Sequence, residues 1–415
     1  MNVDVLIVGA GPAGMAAALA AAASNAKIAI LDDNPQTGGQ IWRDGPQAHL
    51  PAVARRYRQQ LLQQSNIQLL AGTRVVAVAG PNSLLLEDAE RGWVIQYDKL
   101  ILCTGARELL LPFPGWTLPG VTGAGGLQAL IKGGLAVKGQ RLVIAGSGPL
   151  LLASAATAKD NGANLLRIAE QAPWTAVAAF AAQLPRWPHK LWQAAGLFDA
   201  SYRANSHVVE ALGKDRLEGV RINRGGVIEE IACERLACGF GLIPNLQLAQ
   251  ALHCHIEQQA VAVDSWQASS VAGVYAAGEA CGFGGSDKAL VEGAIAGYAA
   301  VGHNAAAEQL WPQRQRWQQF AQVLRQRFAL TDAVRQLAQP DTLVCRCEDV
   351  PYAALAGASG WAQAKLSSRC GMGACQGRVC GAAAQALWGW TPAPPRPPFS
   401  PTRIETLLQL QSPER

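Results

Sequence analysis

No CxxC pair occurs anywhere in this 415-residue chain, although it holds ten cysteines, so a dithiol redox centre of that spacing is excluded. Histidine is scarce, with six in all, and His189, His253 and His255 are isolated, which leaves no general base to argue for. Charge is sparse as well. Asp, Glu, Lys and Arg make up 16% of the residues, and 35 basic against 30 acidic side chains leave +5 with no long basic block, so nucleic acid is not expected as a partner. The apolar stretch 13–23 is too short to span a bilayer and follows an acidic start without a basic n-region. These absences lead us to expect a soluble, cytoplasmic protein with at most peripheral membrane association. In a reducing compartment, clustered thiols point to metal rather than to disulfides, and five of the ten cysteines crowd into 345–380.

What is present begins at the first residues. The apolar run Val3 to Val8 leads into Gly9-Ala10-Gly11-Pro12-Ala13-Gly14 and then into an alanine-rich stretch ending near Asn25, which reads as strand, glycine turn and helix. Gly9 suits the tight turn, Gly11 lets backbone approach a pyrophosphate, and Gly14 lets helix and strand pack closely. The helix N-terminus then offers unpaired N–H groups to the phosphates. A second apolar strand, Lys27 to Leu31, is followed by Asp32, eighteen residues after Gly14, where an acid would accept bonds from a ribose.

The chain is long enough for two or three domains, and half of its residues are apolar. After Asp32 comes a glycine-rich loop holding Gly38, Gly39, Gln40, Ile41, Trp42 and Arg43. In two-dinucleotide flavoproteins such a loop passes beside the flavin; the plain alternative is a loop of turn residues. Residues 53–64 read as a polar-faced helix and 67–97 as short strands with a turn at Pro81-Asn82. Leu100 to Cys103 is a buried strand ending on Thr104, Gly105 and Ala106, small residues that permit close approach to a cofactor.

A crossing loop, Gly115 to Val121 with Gly123 to Gly126, leads to Arg141 to Ala145 and Gly146-Ser147-Gly148-Pro149-Leu150-Leu151, an internal repeat of the first motif. Leu151 replaces the third glycine and should push helix and strand apart or tilt them. After Glu170, helix formers with Trp174, Trp187 and Trp192 stand where another strand would be. NAD(P) binding is therefore not expected of this second unit. Short strands return over 205–275, with Cys233, Cys238 and Cys254 at no ligand spacing. An apolar strand then ends on Gly278-Glu279, where such folds bond the flavin ribityl chain, with Glu in place of the usual Asp. A small-residue helix follows, and 303–340 reads as a helical linker.

Near the C-terminus, Cys345-Arg346-Cys347 is followed, after twenty-two intervening residues, by Cys370, Cys375 and Cys380. Four thiolates suit a 2Fe-2S cluster, and the glycines between them let N–H groups turn toward the sulfurs. Zinc would accept four thiolates too, although CxC with CxxxxC is not the usual knuckle spacing. Five cysteines compete for four places, and the equal spacings 370–375 and 375–380 do not choose between them.

Over almost its whole length the chain resembles the alpha subunit of the bacterial heteromeric amino-acid and amine dehydrogenases, the D-hydroxyproline dehydrogenase, opine oxidase and hydrogen cyanide synthase group. The motifs that carry this are Gly9 to Gly14, Gly38 to Arg43, Pro114 to Val121, Gly146 to Leu151, Cys345-Arg346-Cys347 and Gly371 to Arg378. The C-terminal module also resembles the bacterioferritin-associated ferredoxin (BFD) domain of anaerobic glycerol-3-phosphate dehydrogenase. The resemblance implies an α/β two-dinucleotide-binding-domain flavoprotein, pyridine nucleotide-disulfide oxidoreductase-like, with a small helical C-terminal 2Fe-2S domain. It implies an FAD-binding domain at 1–115 and 265–302, a degenerate nucleotide-binding domain at 116–264, the linker at 303–340, the cluster domain at 341–390 and a Pro-rich tail at 391–415. FAD would be held by Gly9, Gly11, Pro12, Ala13, Gly14, Asp32, Gly39, Gln40, Arg43, Thr104, Gly105, Ala106, Gly278 and Glu279. The cluster would take Cys345, Cys347, Cys375 and Cys380, with Cys370 a buried neighbour or alternative ligand.

The same resemblance implies a glycine-oxidase-like, FAD-containing beta subunit that oxidises the substrate C–N bond, with or without a small third subunit, and makes this chain an electron relay without catalytic residues of its own. Its rival is a self-sufficient NAD(P)H-dependent reductase that feeds its own cluster. A third reading is a scaffold with vestigial nucleotide sites.

Overall fold

A computed structural model describes residues 1–410. The chain divides into two compact units: Met1–Arg107 with Ile243–Gln322 and the segment from Pro394 onward, and Glu108–Leu242 with Val323–Ala393.

In the first unit the strand Asn2–Val8 lies between Ile28–Asp32 and Gly92–Leu102, all parallel, with Ile7 opposite both Ile30 and Ile101. Ile67–Ala71 extends the sheet on one side, Val274–Ala276 pairs in parallel with Gly92–Leu102, and Ser83–Glu87 and Arg74–Gly80 continue it antiparallel. The central strands are apolar on both faces because both are covered. Val5 and Ile7 pack with Met15, Ala17 and Ala18, while Leu6 and Val8 pack with Leu100, Leu102 and Leu248. The alanines of the helix Pro12–Ala21 have a further cause in the helix Ser286–Ala300. A Cβ on Gly293 would come within 2.1 Å of the Ala13 carbonyl oxygen, and one on Gly297 within 2.2 Å of that of Ala17, so the two helices meet backbone to backbone.

Residues 394–410 return to this unit. Phe399 N–H donates to Val76 O at 2.8 Å. The buried carboxylate of Glu87 then collects Arg403 N–H at 2.9 Å, Thr406 Oγ1 at 2.8 Å and the Arg74 guanidinium. Of the tail expected at 391–415, positions 411–415 lie outside the described residues.

The second unit has a parallel sheet in the order Tyr202–Arg203, Asn164–Glu170, Arg141–Gly146, Arg235–Gly239, Val121–Gly123, and an antiparallel meander Ser206–Leu212, Gly219–Arg224, Val227–Ala232. A third parallel strand does follow Glu170, contrary to the sequence expectation. It is only two residues long and delayed to 202, because Trp174–Ala181 and Pro188–Leu197 are helical. The room for Leu151 comes from the neighbouring strand: a Cβ on Gly239 would stand 3.0 Å from Leu151 Cδ2, and Leu151 is fully buried.

The stretch expected as a helical linker is helical in three pieces, Asn304–Glu308, Trp311–Arg327 and Asp332–Arg335. Beyond it, Leu343–Cys345 pairs with Val350–Pro351, and the helices Trp361–Ser368 and Cys380–Trp388 complete a small module. Among the described residues no helix is long and apolar enough to cross a membrane.

Candidate flavin seat and cysteine centre

The glycines of the first turn answer to different neighbours. A Cβ on Gly9 would lie 2.1 Å from Cys103 O and one on Gly14 would lie 1.8 Å from Gly9 O, so both are packing requirements. At Gly11 the nearest atom would be Gly39 Cα at 3.8 Å, which leaves the front of the turn open. Gly11 is the N-cap of the helix that begins at Pro12, and no side chain caps it, so its first N–H groups are available to an anion. Asp32 is buried and holds the turn: Oδ2 accepts Ala10 N–H at 2.7 Å, and Oδ1 accepts the backbone and side-chain N–H groups of Asn34 at 2.9 and 2.8 Å.

The loop holding Gly39, Gln40 and Arg43 is pinned against this turn. Gly38 N–H donates to Ala10 O at 2.8 Å, and Arg58 donates to Thr37 O and to Trp42 O while pairing with Asp44 at 2.6 Å. Arg43 donates to Gln40 Oε1 at 2.9 Å, and its buried Nε has no partner. Thr104 is stitched to Asn245 in both directions, Oγ1 to Asn245 O at 2.7 Å and Asn245 Nδ2 to Thr104 O at 2.9 Å. Beside it, Gly105 has φ +67° and open space where a Cβ would stand, and Ala106 opens the next strand.

Gly278 packs on Ala13, its hypothetical Cβ 2.8 Å from the Ala13 Cβ, which brings the Gly278-Glu279 turn to the glycine turn. Glu279 Oε1 accepts Gly285 N–H at 3.1 Å, whereas Oε2 is buried without a partner, and burial pushes the carboxyl above its ordinary range. This turn is braced by two residues that no motif announced. Lys288 Nζ donates to Gly278 O at 3.2 Å, to Gly282 O at 2.9 Å and to Glu292 at 2.7 Å, and Glu292 accepts Gly278 N–H at 3.1 Å. Opposite charges at i and i+4 in a small-residue helix were the available signal. An unpartnered acceptor at Glu279, an unpartnered donor at Arg43, and free volume at Gly11 and Gly105 together fit a flavin dinucleotide.

In the C-terminal module the Sγ atoms of Cys345, Cys370 and Cys380 all lie within 4.8 Å of one another. Cys380 is in thiol contact with both Cys345 and Cys370, and Cys347 is in thiol contact with Cys375. All ten cysteines of the chain are free. The five sulfurs thus fall into a trio, 345, 370 and 380, and a touching pair, 347 with 375; two thiolates per iron is what a 2Fe-2S rhomb requires, so one member of the trio is left over. Burial pushes Cys375 up, but N–H groups of Val379, Gly377 and Arg378 and the Cys347 thiol bring it below the ordinary thiol range. Gly371 N–H is directed at Cys345, where burial outweighs it and keeps the thiol above its ordinary range. The glycines serve packing too: Cβ atoms on Gly371 and Gly377 would meet the Trp361 ring at 2.5 and 3.2 Å, and one on Gly373 would meet Cys347 Cβ at 2.2 Å. The crossing loop supports this module, with Trp116 Nε1 donating to Leu343 O at 2.6 Å and Arg346 lying 4.9 Å over the Trp116 ring.

A family model described as pyridine nucleotide-disulphide oxidoreductase matches residues 3–307. The chain is 33% identical to one of the subunits of the Rhizobium meliloti opine oxidase over 98% of this chain and 87% of that one. It is 32% identical to the HcnB component of hydrogen cyanide synthase from Pseudomonas protegens over 92% of this chain and 90% of that one. Among solved structures, L-proline dehydrogenase from P. horikoshii covers 98% of this chain and 79% of its own with a TM-score of 0.66 at 18% identity, a likeness of fold. The expected fold class is thereby met, and the chain belongs to the pyridine nucleotide-disulphide oxidoreductase family, in the group of flavoprotein oxidoreductase subunits that includes those of opine oxidase and hydrogen cyanide synthase.

Proposed function

We propose that the chain is the FAD- and 2Fe-2S-carrying electron-transfer subunit of a cytoplasmic heteromeric dehydrogenase for amino acids or amines. A glycine-oxidase-like flavoprotein partner oxidises the CH–NH bond, and electrons leave through this chain. The observation that carries the reading is the gathering of five thiols, the trio Cys345, Cys370 and Cys380 and the pair Cys347 and Cys375, in a chain that also holds unpartnered polar atoms at a glycine-turn seat; of these, Cys345, Cys347, Cys375 and Cys380 would hold the cluster. A flavin accepts electrons in pairs and an iron-sulfur cluster passes them singly, which is the exchange such a relay needs. The residues of this chain would bind and orient the flavin: Gly11 and the N-terminus of the helix Pro12–Ala21 would face the pyrophosphate, Asp32 keeps the turn closed, and Glu279 would offer its free oxygen to the ribityl chain. The relatives named as subunits of opine oxidase and hydrogen cyanide synthase support a multi-subunit assembly.

Co-purification with the products of neighbouring genes, followed by a panel of amino acids and opines with an artificial acceptor, tests the reading. Substrate-dependent acceptor reduction that needs both this chain and its partner is expected. Rapid anaerobic bleaching of the isolated chain's flavin by NADH or NADPH would instead establish the self-sufficient reductase.

A further inference from the structure

In a dinucleotide-binding unit the pyrophosphate rests on the backbone of the glycine turn at the N-terminus of the next helix. In the second unit that position faces a piece of the chain itself. The Phe328 ring lies 3.6 Å from where a Cβ of Gly148 would stand, just ahead of the helix Leu150–Asp160. The segment is bonded as well as packed. Ser147 Oγ donates to Phe328 O at 2.9 Å, and Gln171 Nε2 donates to Ala329 O and to Ser147 Oγ, each at 3.0 Å. Gln171 Oε1 in turn accepts Thr331 N–H at 3.0 Å. Gln171 is 3% exposed, so both ends of a buried amide are committed to one short peptide.

The segment is also held from its flanks. Phe328 meets Phe180 edge-on at 5.1 Å, and Leu330, Val334 and Leu337 enter the apolar core around Leu236 and Cys238. We infer that the connector Phe328–Thr331 is the resident ligand of the second nucleotide seat and holds it closed against NADH and NADPH. A pyrophosphate and the Phe328 ring cannot both lie over Gly148, so a dinucleotide binds only the fraction of molecules in which the connector has left, and its apparent affinity falls by that fraction. The inference is independent of which partner or substrate the complex uses.

The test uses the flavin-loaded full chain, so that the first seat is already filled. Wild type and a Gln171→Ala/Phe328→Ala double variant are titrated with ADP-ribose and NADH, and amide exchange is followed at Thr331. Wild type should protect Thr331 and show no saturable binding. The double variant should lose that protection and bind ADP-ribose at least about tenfold more tightly. Equal binding by both proteins, an unprotected Thr331 in wild type, unchanged protection in the double variant, or a released connector with no gain in binding would each overturn the inference. Should the double variant lose its flavin, Ser147→Ala, which removes the bond to Phe328 O together with the contacts of Ser147 Oγ to Gln171 and Glu170, is read by the same two measurements.

Discussion

The N–H of Ala10 donates to Asp32 Oδ2 at 2.7 Å across 22 residues of chain. The second unit repeats the device: Gly148 N–H donates to Glu170 Oε2 at 2.7 Å, again across 22 residues. In both units an acid at the end of the second strand ties down the glycine turn after the first. The surroundings differ. Asp32 has Asn34 as its other partner, whereas Glu170 is 0% exposed, accepts Ala172 N–H at 2.8 Å, and touches Ser147 and Tyr202.

Burial pushes the Glu170 carboxyl up to about 7, against the hydrogen bonds that lower it. A folded-state value above the unfolded one means that the unfolded chain gives up this proton first as pH rises. The contribution is therefore fully present below the ordinary range near 4.5 and is lost as pH rises to about 7. Urea unfolding of wild type should show stability declining across that window by up to roughly 3 kcal/mol. Glu170→Gln, which cannot titrate, should flatten the decline; an unchanged slope would remove Glu170 as its source.

Glu87 has the opposite sign. Burial raises its carboxyl, but Arg74, Arg403 and Thr406 outweigh this and hold it at about 2. Its contribution is present above about 4.5 and is lost as pH falls toward about 2. Arg403→Ala should cost about 1–3 kcal/mol at neutral pH by removing charged hydrogen bonds to a buried acceptor. Acid unfolding followed by circular dichroism should also begin at a higher pH in this variant. An identical acid transition would mean that the C-terminal return does not hold Glu87.

Both glycine turns and the apolar strands were legible in the sequence because each is a local pattern whose spacing states its geometry; the crowding of the cysteines was legible too, but their spacing does not say which four of the five are ligands. What escaped was contact between distant residues. Arg58 latches the loop at Thr37 and Trp42, Lys288 and Glu292 brace the turn at Gly278, and Arg403 returns to Glu87; only Lys288 and Glu292 share a local period, and nothing in the sequence links any of these side chains to the distant backbone it holds. Glu170 escaped because the helices after it hid the strand that completes its sheet, and Leu151 was misjudged because the space for it belongs to another strand.

That last relation is testable on its own. Gly239→Ala would place a methyl 3.0 Å from Leu151 Cδ2 and 3.2 Å from Ala124 Cβ, and should cost about 1–3 kcal/mol by overpacking. Leu151→Ala alone should cost about 2–5 kcal/mol through the cavity it leaves. If Gly239 exists to make room for Leu151, the double variant should be less destabilised than the sum of the two singles. Strict additivity in urea unfolding would separate the two residues.

The five clustered cysteines are separated into ligands and bystander by substitution. Replacing Cys345, Cys347, Cys375 or Cys380 by Ser should remove or badly weaken the 2Fe-2S signal in electron paramagnetic resonance of the reduced protein, whereas Cys370→Ser should leave it largely intact. The proposed set takes Cys345 with Cys380 and Cys347 with Cys375, two sulfurs per iron, and leaves out Cys370 on the strength of the resemblance, although the Cys370 Sγ lies within 4.8 Å of those of both Cys345 and Cys380. Cys370 is fully buried with its N–H on Ser368 Oγ at 3.2 Å, a setting in which a serine hydroxyl is nearly isosteric and should disturb packing little. In the proposed relay the cluster would lie downstream of the partner's chemistry, so the four ligand variants should also lose acceptor reduction while still assembling. The rival arrangement is built on the buried trio Cys345, Cys370 and Cys380. It makes the reverse forecast for one residue, since Cys370→Ser would then abolish the signal. A Cys370→Ser protein without a cluster, beside a Cys347→Ser or Cys375→Ser protein that keeps one, would transfer the ligand set to that trio.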